Sequence, residues 1–248
     1  MSPSPPERVV HVVVAGDIGG AERLLVDLAT RPDATRADHS VALMTPNRAL
    51  ARLFVDAGLR VHDRGAVREN PLAYLWRSLG PLDVAWLERI LRQERATVAH
   101  LHTFASHVVG TRAARRAGVP IVRTEHHVAY FDDPSCSPFT RWSIGKVDAV
   151  VAISDYVRRF VEQTEPRVAR KLHTVRNGVD TAYFAAQGAP PDASAPFTFV
   201  VACRLEAWKG VDLVVDAMAH VDGARLDVVG DGSQRERLEA RALSLGVA

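Results

Sequence analysis

Short apolar runs alternate along the chain with segments in which apolar residues recur every three or four positions. The short runs predict buried strands, and the longer spacing indicates helices with one buried face. Seven strands are predicted at 9–15, 40–44, 59–62, 98–102, 121–124, 149–153 and 172–175. Strands that alternate with helices predict parallel β-α-β units, so we expect an α/β fold with one Rossmann-like, doubly wound parallel sheet.

The helix after the first strand has the clearest pattern, because Ala21, Leu24, Leu25 and Leu28 follow the i, i+3, i+4, i+7 spacing. Further helices are predicted at 49–57, 71–95 with breaks, 104–117 and 155–163. Ser154 is a suitable N-cap for the last of them.

Residues 185–196, which are rich in Ala, Pro and small polar side chains, are predicted to be a linker. The alternation then resumes with strands at 197–203 and 225–229 and helices at 211–221 and 234–245. Two strands and two helices make a marginal domain. We therefore expect an N-terminal domain at 1–184 and an incomplete second Rossmann-like domain at 197–248.

The composition is that of an ordinary globular protein, with 47% hydrophobic and 24% charged residues. A net charge of +2 is too small to indicate a nucleic-acid partner. Cys136 and Cys203 have no metal-ligand spacing, and neither a signal peptide nor an apolar membrane span is evident. These features favour a reduced, cytoplasmic protein.

Paired glycines, Gly19 and Gly20, follow the first strand and open a helix. Such a turn lets a ligand approach the backbone and its free N–H groups. The pattern is neither GxGxxG nor a P-loop, and the second strand ends in Met44-Thr45-Pro46 without a ribose-binding acid, which disfavours a dehydrogenase or P-loop enzyme. A turn needed only for tight packing is the alternative.

Histidines lie at the ends of the fourth and fifth strands. His100 and His102 share one face of their strand, and His126 follows the next strand. Ligands of open α/β sheets gather at this edge, so at least one functional histidine is expected, against the alternative of structural histidines. Zinc binding by these histidines is an open alternative in principle, but neither HExxH nor a Cys/His pair supports it, so no metal site is predicted.

Two cations, Arg204 and Lys209, flank the turn between the strand and the helix of the second domain. Cations beside a helix N-terminus favour a bound phosphate, although solvated cations would also explain them. The turn Gly230-Asp231-Gly232 follows the next strand and should face the same side. Asn177-Gly178 marks a further turn, after the seventh strand.

Six motifs occur in one order: Gly-Gly-Ala-Glu-Arg at 19–23, Thr-Glu-His at 124–126, Asp-Ala-Val-Val-Ala-Ile-Ser at 148–154, Asn-Gly-Val-Asp-x-x-x-Phe at 177–184, Arg-Leu-Glu-x-x-Lys-Gly at 204–210 and Val-Gly-Asp-Gly at 229–232. Together they resemble family four of the retaining, GT-B fold glycosyltransferases. The resemblance extends over essentially the whole chain.

The resemblance implies transfer of a sugar from a UDP- or GDP-sugar to an acceptor hydroxyl, with retention of configuration and with no cofactor or metal. Arg204 and Lys209 would hold the donor diphosphate, and Gly19 and Gly20 would let the phosphate and the acceptor come close. His126 would lie beside the transferred sugar. His102, Asn177 and the turn Gly230-Asp231-Gly232 are the remaining candidates for the cleft.

Family members often act on lipid-linked or glycan acceptors of the cell envelope, which implies peripheral contact with the inner face of the membrane. Arg112, Arg115, Arg116 and the run 74–77 could support such contact, although solvated helix faces are the stronger interpretation.

The family pattern continues, beyond the last motif matched here, to a spaced pair of glutamates that this sequence lacks. We therefore expect either the front part of a longer enzyme or a natural truncated product. The alternatives to a glycosyltransferase are a non-catalytic module that binds an acceptor or partner, and a GT-B-like sugar-nucleotide epimerase, which would lack this motif set.

Overall fold

A computed structural model describes residues 6–16, 18–31, 37–65, 80–185 and 196–248. The chain divides into two compact units, Met1–Asp180 and Thr181–Ala248. Of the predicted linker, only the end residues 185 and 196 are described. The aromatic and basic run 74–77 lies outside the described residues.

The first unit is built on a seven-stranded parallel sheet. Its strands are β1 Arg8–Val13, β2 Asp38–Leu43, β3 Arg60–Asp63, β4 Val98–Leu101, β5 Ile121–Glu125, β6 Ala149–Ala152 and β7 Leu172–Thr174. They pair in the order β3-β2-β1-β4-β5-β6-β7. The prediction of a doubly wound sheet is therefore confirmed, and its strand order reverses between β1 and β4, where such sheets bind their ligands.

The helices of this unit are α1 Gly20–Thr30, α2 Arg48–Asp56, α3 Leu82–Gln93, α4 Phe104–Ala117, α5 Ala129–Asp132, α6 Ser137–Ile144 and α7 Asp155–Thr164, followed by a 3-10 helix at Pro166–Lys171. Ser154 caps α7 as predicted, since its Oγ accepts a hydrogen bond of 3.2 Å from the backbone N–H of Val157. Within the predicted helix 71–95, residues 71–79 lie outside the described residues. The short helices α5 and α6 were not predicted.

Both faces of the sheet carry apolar layers, which explains why the strands have continuous apolar runs. The neighbouring residues Val12 and Val13 belong to different layers. Val13 packs with Leu25 of α1 and Phe54 of α2, whereas Val12 belongs to the layer that contains Leu87 of α3.

The second unit pairs β8 Phe197–Ala202 in parallel with β9 Ala224–Val229 and adds α8 Val211–Met218 and α9 Arg235–Leu245. Its buried core is small and consists of Leu205, Val211, Val215 and Leu238. Several apolar side chains of the two strands are exposed, among them Phe197, Val200 and Val229.

Candidate functional site

The turn after β8 carries Arg204 and Lys209 and is held by its own apolar side chain. Leu205, between the two cations in sequence, is buried in the small core of the second unit. A short 3-10 helix, Ala207–Lys209, follows, and Gly210 at φ +66° then leads the chain into α8. The left-handed conformation at Gly210 suits glycine because it has no Cβ. The turn therefore presents its polar side chains from a fixed backbone.

Arg204 and Lys209 are both exposed. In the part of the chain that the structure describes, neither side chain forms an ion pair with an acid. Each lies instead near the ring of Trp208, with the Arg204 guanidinium carbon at 5.9 Å from the ring centroid and the Lys209 Nζ at 4.2 Å. Sequence reasoning missed Trp208, although an aromatic residue beside two cations was a signal. Two cations without an acidic partner are suited to bind an external anion.

The turn Gly230-Asp231-Gly232 lies beside the Arg204 turn, as expected for parallel strands that end at the same edge. The backbone N–H of Leu205 donates to the carbonyl of Asp231 at 2.9 Å. A Cβ at Gly230 would lie 1.9 Å from the carbonyl oxygen of Cys203, and one at Gly232 would lie 2.6 Å from that of Leu205. These two glycines are therefore required for the close backbone packing of the turns.

In the first unit, Gly19 is the N-cap of α1, and its N–H donates to Glu22 Oε2 at 2.8 Å. A Cβ at Gly19 would lie 3.0 Å from the same oxygen, whereas a Cβ at Gly20 would meet no atom within 4 Å. Gly20 is exposed, and its φ lies outside the left-handed region. Neither the packing nor the backbone conformation therefore explains why Gly20 lacks a side chain.

His126 follows β5 and lines a cavity of about 400 Å³ between α1 and the strand ends. His102, Asn177 and Gly178 line the same cavity. The polar groups meet apolar walls from α1, β6 and the chain around β7, which include Leu24, Leu28, Val151, Ile153 and Val175. The cavity can thus hold a ligand that has both polar and apolar parts.

Burial, with the neighbouring His127 adding to it, lowers the pKa of His126 to about 4. Near pH 7 the ring is therefore neutral, with one nitrogen as a donor and the other as an acceptor. A neutral imidazole can hydrogen-bond a hydroxyl without adding charge to the site.

A buried polar network supports β5, the strand that directly precedes His126. Arg123 and Glu125, both fully buried, form an ion pair, and the Tyr130 hydroxyl donates to Glu125. Arg123 Nη1 also donates to Ser143 Oγ on α6 at 2.7 Å. Successive side chains of a strand face opposite sides, so this network lies on the other side of β5 from Thr124 and His126. It fixes the end of β5, and with it the position of His126.

The sequence profile of glycosyltransferase family 4 matches residues 18–183, well over half of the chain. The chain belongs to glycosyltransferase family 4. Among curated relatives, it is 30% identical over 260 aligned positions to D-inositol 3-phosphate glycosyltransferase 1 of Catenulispora acidiphila, with 91% of this chain and 60% of that protein covered. The chain thus spans less than two thirds of the length of this relative.

Solved structures confirm the GT-B fold class. HepE of Anabaena, in complex with UDP-glucose, matches with a TM-score of 0.75 at 23% identity over 97% of this chain and 66% of that chain. UDP-N-acetylglucosamine 2-epimerase of Rickettsia bellii also matches, with a TM-score of 0.57 at 15% identity over 94% of this chain and 64% of that chain. The fold alone therefore does not separate transferases from epimerases, whereas the family profile does.

The predicted site residues of this family 4 chain fall into three groups. His102, His126 and Asn177 line one cavity of the first unit, and Gly19 and Gly20 open α1. Arg204, Lys209, Gly230, Asp231 and Gly232 form the neighbouring turns of the second unit.

Of the basic residues considered for membrane contact, one is bonded within the protein and two are exposed. Arg112 donates to the carbonyl of Gly80 at 3.2 Å, while Arg115 and Arg116 are exposed near the end of α4. In the described ranges, no helix has the length and apolarity needed to cross a bilayer.

Proposed function

We propose that this chain supplies the acceptor-side domain and part of the donor-binding domain of a glycosyltransferase. The enzyme moves a sugar from a UDP- or GDP-sugar to an acceptor hydroxyl with retention of configuration. The observation that carries this proposal is the pair of exposed cations, Arg204 and Lys209, on a fixed turn at a strand end and without acidic partners among the described residues.

The diphosphate of the donor is the ligand that this turn fits best. Arg204 and Lys209 offer charge-assisted hydrogen bonds to phosphate oxygens, and only Gly210 separates Lys209 from the first residue of α8. As the bond between the sugar and the diphosphate breaks, negative charge grows on the leaving group. Cations held at that point lower the barrier, and removal of one such group typically costs about 3–4 kcal/mol. Neutralisation by side chains would make a divalent ion unnecessary at the diphosphate.

His126 is proposed to hydrogen-bond hydroxyls of the transferred sugar, for which its neutral state is suitable. The cavity that it shares with His102 and Asn177 is proposed to belong to the acceptor side of the site. Its apolar walls are compatible with a lipid-linked acceptor or a glycan of the cell envelope. We place the enzyme in the cytoplasm, with peripheral contact with the inner face of the membrane where the acceptor is lipid-linked.

Calorimetric titration of UDP, UDP-glucose and a GDP-sugar in the presence of EDTA tests the diphosphate site. We expect one of the nucleotides to bind the wild-type chain, and Arg204→Ala and Lys209→Ala each to weaken that binding about 10- to 100-fold. This corresponds to the loss of a charge-assisted hydrogen bond of about 1.5–3 kcal/mol.

Two matched variants control for a general loss of positive charge. Lys146 lies over the ring of Trp142 much as Lys209 lies over Trp208, with Nζ at 5.7 Å, and Arg225 is an exposed cation near the start of β9. Lys146→Ala and Arg225→Ala should bind as the wild type does. Equal weakening by all four variants would refute a specific diphosphate site, and a folded chain that binds no nucleotide would favour a non-catalytic module.

A further inference from the structure

Three histidines converge on one face of the sheet where its strand order reverses. His100 lies on β4, and His102 follows directly after the last residue of that strand, with the two ring centroids 4.1 Å apart. The register of the parallel pairing places His11 of β1 opposite His100. A His-x-His pair at the end of β4 is therefore joined by a third imidazole from the neighbouring strand.

The rings are close enough to share one ligand. One nitrogen of each of His11, His100 and His102 lies within 4.8 Å of the corresponding nitrogens of the other two. His11 Nδ1 and His102 Nε2 are 3.0 Å apart, close to the separation of about 3.3 Å expected between two imidazole nitrogens on a tetrahedral zinc ion with Zn–N bonds of about 2.0 Å.

We infer that His11, His100 and His102 form a binding site for a zinc-class divalent metal ion. Three imidazoles are a recognised ligand set for zinc that leaves the fourth position to water. The group contains nitrogen donors without a carboxylate, whereas magnesium and calcium require oxygen ligands. This inference does not depend on the proposed transferase activity.

The surroundings suit metal binding. His11 and His102 are buried and His100 is half-buried, and the nitrogen of a neutral imidazole is the form that binds a metal ion. His100 and His102 also line the 400 Å³ cavity that contains His126. The cavity gives an ion a path to the site and gives water access to the fourth position.

Each of the three rings also has an outer partner that orients it. His11 Nε2 lies 2.9 Å from His39 Nδ1, and His100 Nε2 lies 2.7 Å from Thr124 Oγ1. His102 Nδ1 lies 3.4 Å from His126 Nε2. Such outer contacts fix ring orientation and tautomer in metal sites.

Because His102 contacts His126, an ion on His102 also affects the protonation of the His126 ring. An ion on His102 Nε2 leaves the ring proton on Nδ1, which then donates to His126 Nε2. The proton of a neutral His126 must therefore lie on its own Nδ1. Metal occupancy thereby selects the tautomer of His126.

The test uses tag-free, chelator-treated protein, titrated with Zn²⁺ by calorimetry and with Co²⁺ by visible absorption. We expect one equivalent of either ion and a Co²⁺ spectrum without a thiolate charge-transfer band. His11→Gln and His100→Gln should each lower the Zn²⁺ affinity about tenfold or more, because a lost ligand costs at least as much as a lost outer partner. His173→Gln, an exposed histidine on β7, serves as the matched control and should bind as the wild type does.

Urea denaturation of each variant without metal shows whether it is folded, and His100→Gln keeps the test valid if His11→Gln does not fold. Three outcomes would overturn the inference: no Zn²⁺ bound by folded wild-type protein, unchanged affinity in either folded ligand variant, or a thiolate band that assigns the ion to Cys136 or Cys203. Since nucleotide is absent, failure of this test is distinct from failure of the diphosphate site.

Discussion

Substitution of Gly20 by alanine separates a ligand-binding role for the glycine turn from a packing role. The added Cβ would meet no atom of the protein within 4 Å, and Gly20 is the first residue of α1. Alanine favours helix over glycine by at most about 1 kcal/mol. The free energy of unfolding should therefore be unchanged or raised by less than about 1 kcal/mol.

The affinity of Gly20→Ala for the nucleotide-sugar should fall, although the stability of the protein does not. If donor phosphate approaches the backbone at Gly20, the methyl group occupies the space that the phosphate uses. We expect loss of about one hydrogen bond, roughly 1.4 kcal/mol or a tenfold loss of affinity for the nucleotide-sugar. Urea denaturation measures the first effect, and calorimetry measures the second on the same preparation.

Gly110→Ala is the matched structural control. Its Cβ would lie 2.3 Å from Cδ2 of Leu101, a fully buried side chain, so overpacking should cost about 1–3 kcal/mol of stability. Destabilisation of Gly20→Ala to the same extent would refute the reasoning, since it would make Gly20 a packing residue. Wild-type nucleotide affinity in a stable Gly20→Ala protein would equally refute the ligand role.

Three further predictions concern other parts of the chain. Trp208→Ala should weaken nucleotide binding severalfold in calorimetry and Trp208→Phe much less, because the ring lies against Arg204 and Lys209; equal losses would contradict this role. Hydrogen bonds from Arg60 lower the pKa of Asp38, so the pair stabilises the fold above the unfolded carboxyl pKa and loses that contribution as the pH falls through the lowered value. Asp38→Asn should accordingly reduce the loss of unfolding free energy at acid pH, by less than about 1 kcal/mol for such a partly exposed pair. Urea denaturation at several pH values measures this, and the same dependence of the unfolding free energy on pH in the variant and the wild type would contradict it. Amide hydrogen exchange should be faster in β8, whose apolar side chains are largely exposed, than in β4, and equal protection would contradict this expectation.

The inner strands of the sheet in the first unit could be predicted because they are buried on both faces. The neighbours Val12 and Val13 are both buried, so β1 has an apolar run that stands out in the sequence. Helix α6 lacked such a signal, since two of its three buried residues, Thr140 and Ser143, are polar.

The candidate sites could be predicted in part, from spacing within one turn and from the rule that ligands gather at the carboxyl ends of parallel strands, which brought His102 and His126 together. Arg204 and Lys209 lie in one turn, so their proximity was evident from spacing. His11 was overlooked because its approach to His102 depends on the pairing of β1 with β4, which local patterns do not specify. The close packing of Gly230 against Cys203 likewise depends on the pairing of β8 with β9.

The most direct test of the account compares the affinities of UDP and uridine, which differ only in the diphosphate, in the wild type and in an Arg204→Ala/Lys209→Ala double variant. If the turn binds the diphosphate, UDP should bind the wild type far more tightly than uridine does, and this ratio should fall close to one in the variant while uridine binding is unchanged. An equally large ratio in both proteins would show that the diphosphate is bound elsewhere and would contradict the central claim.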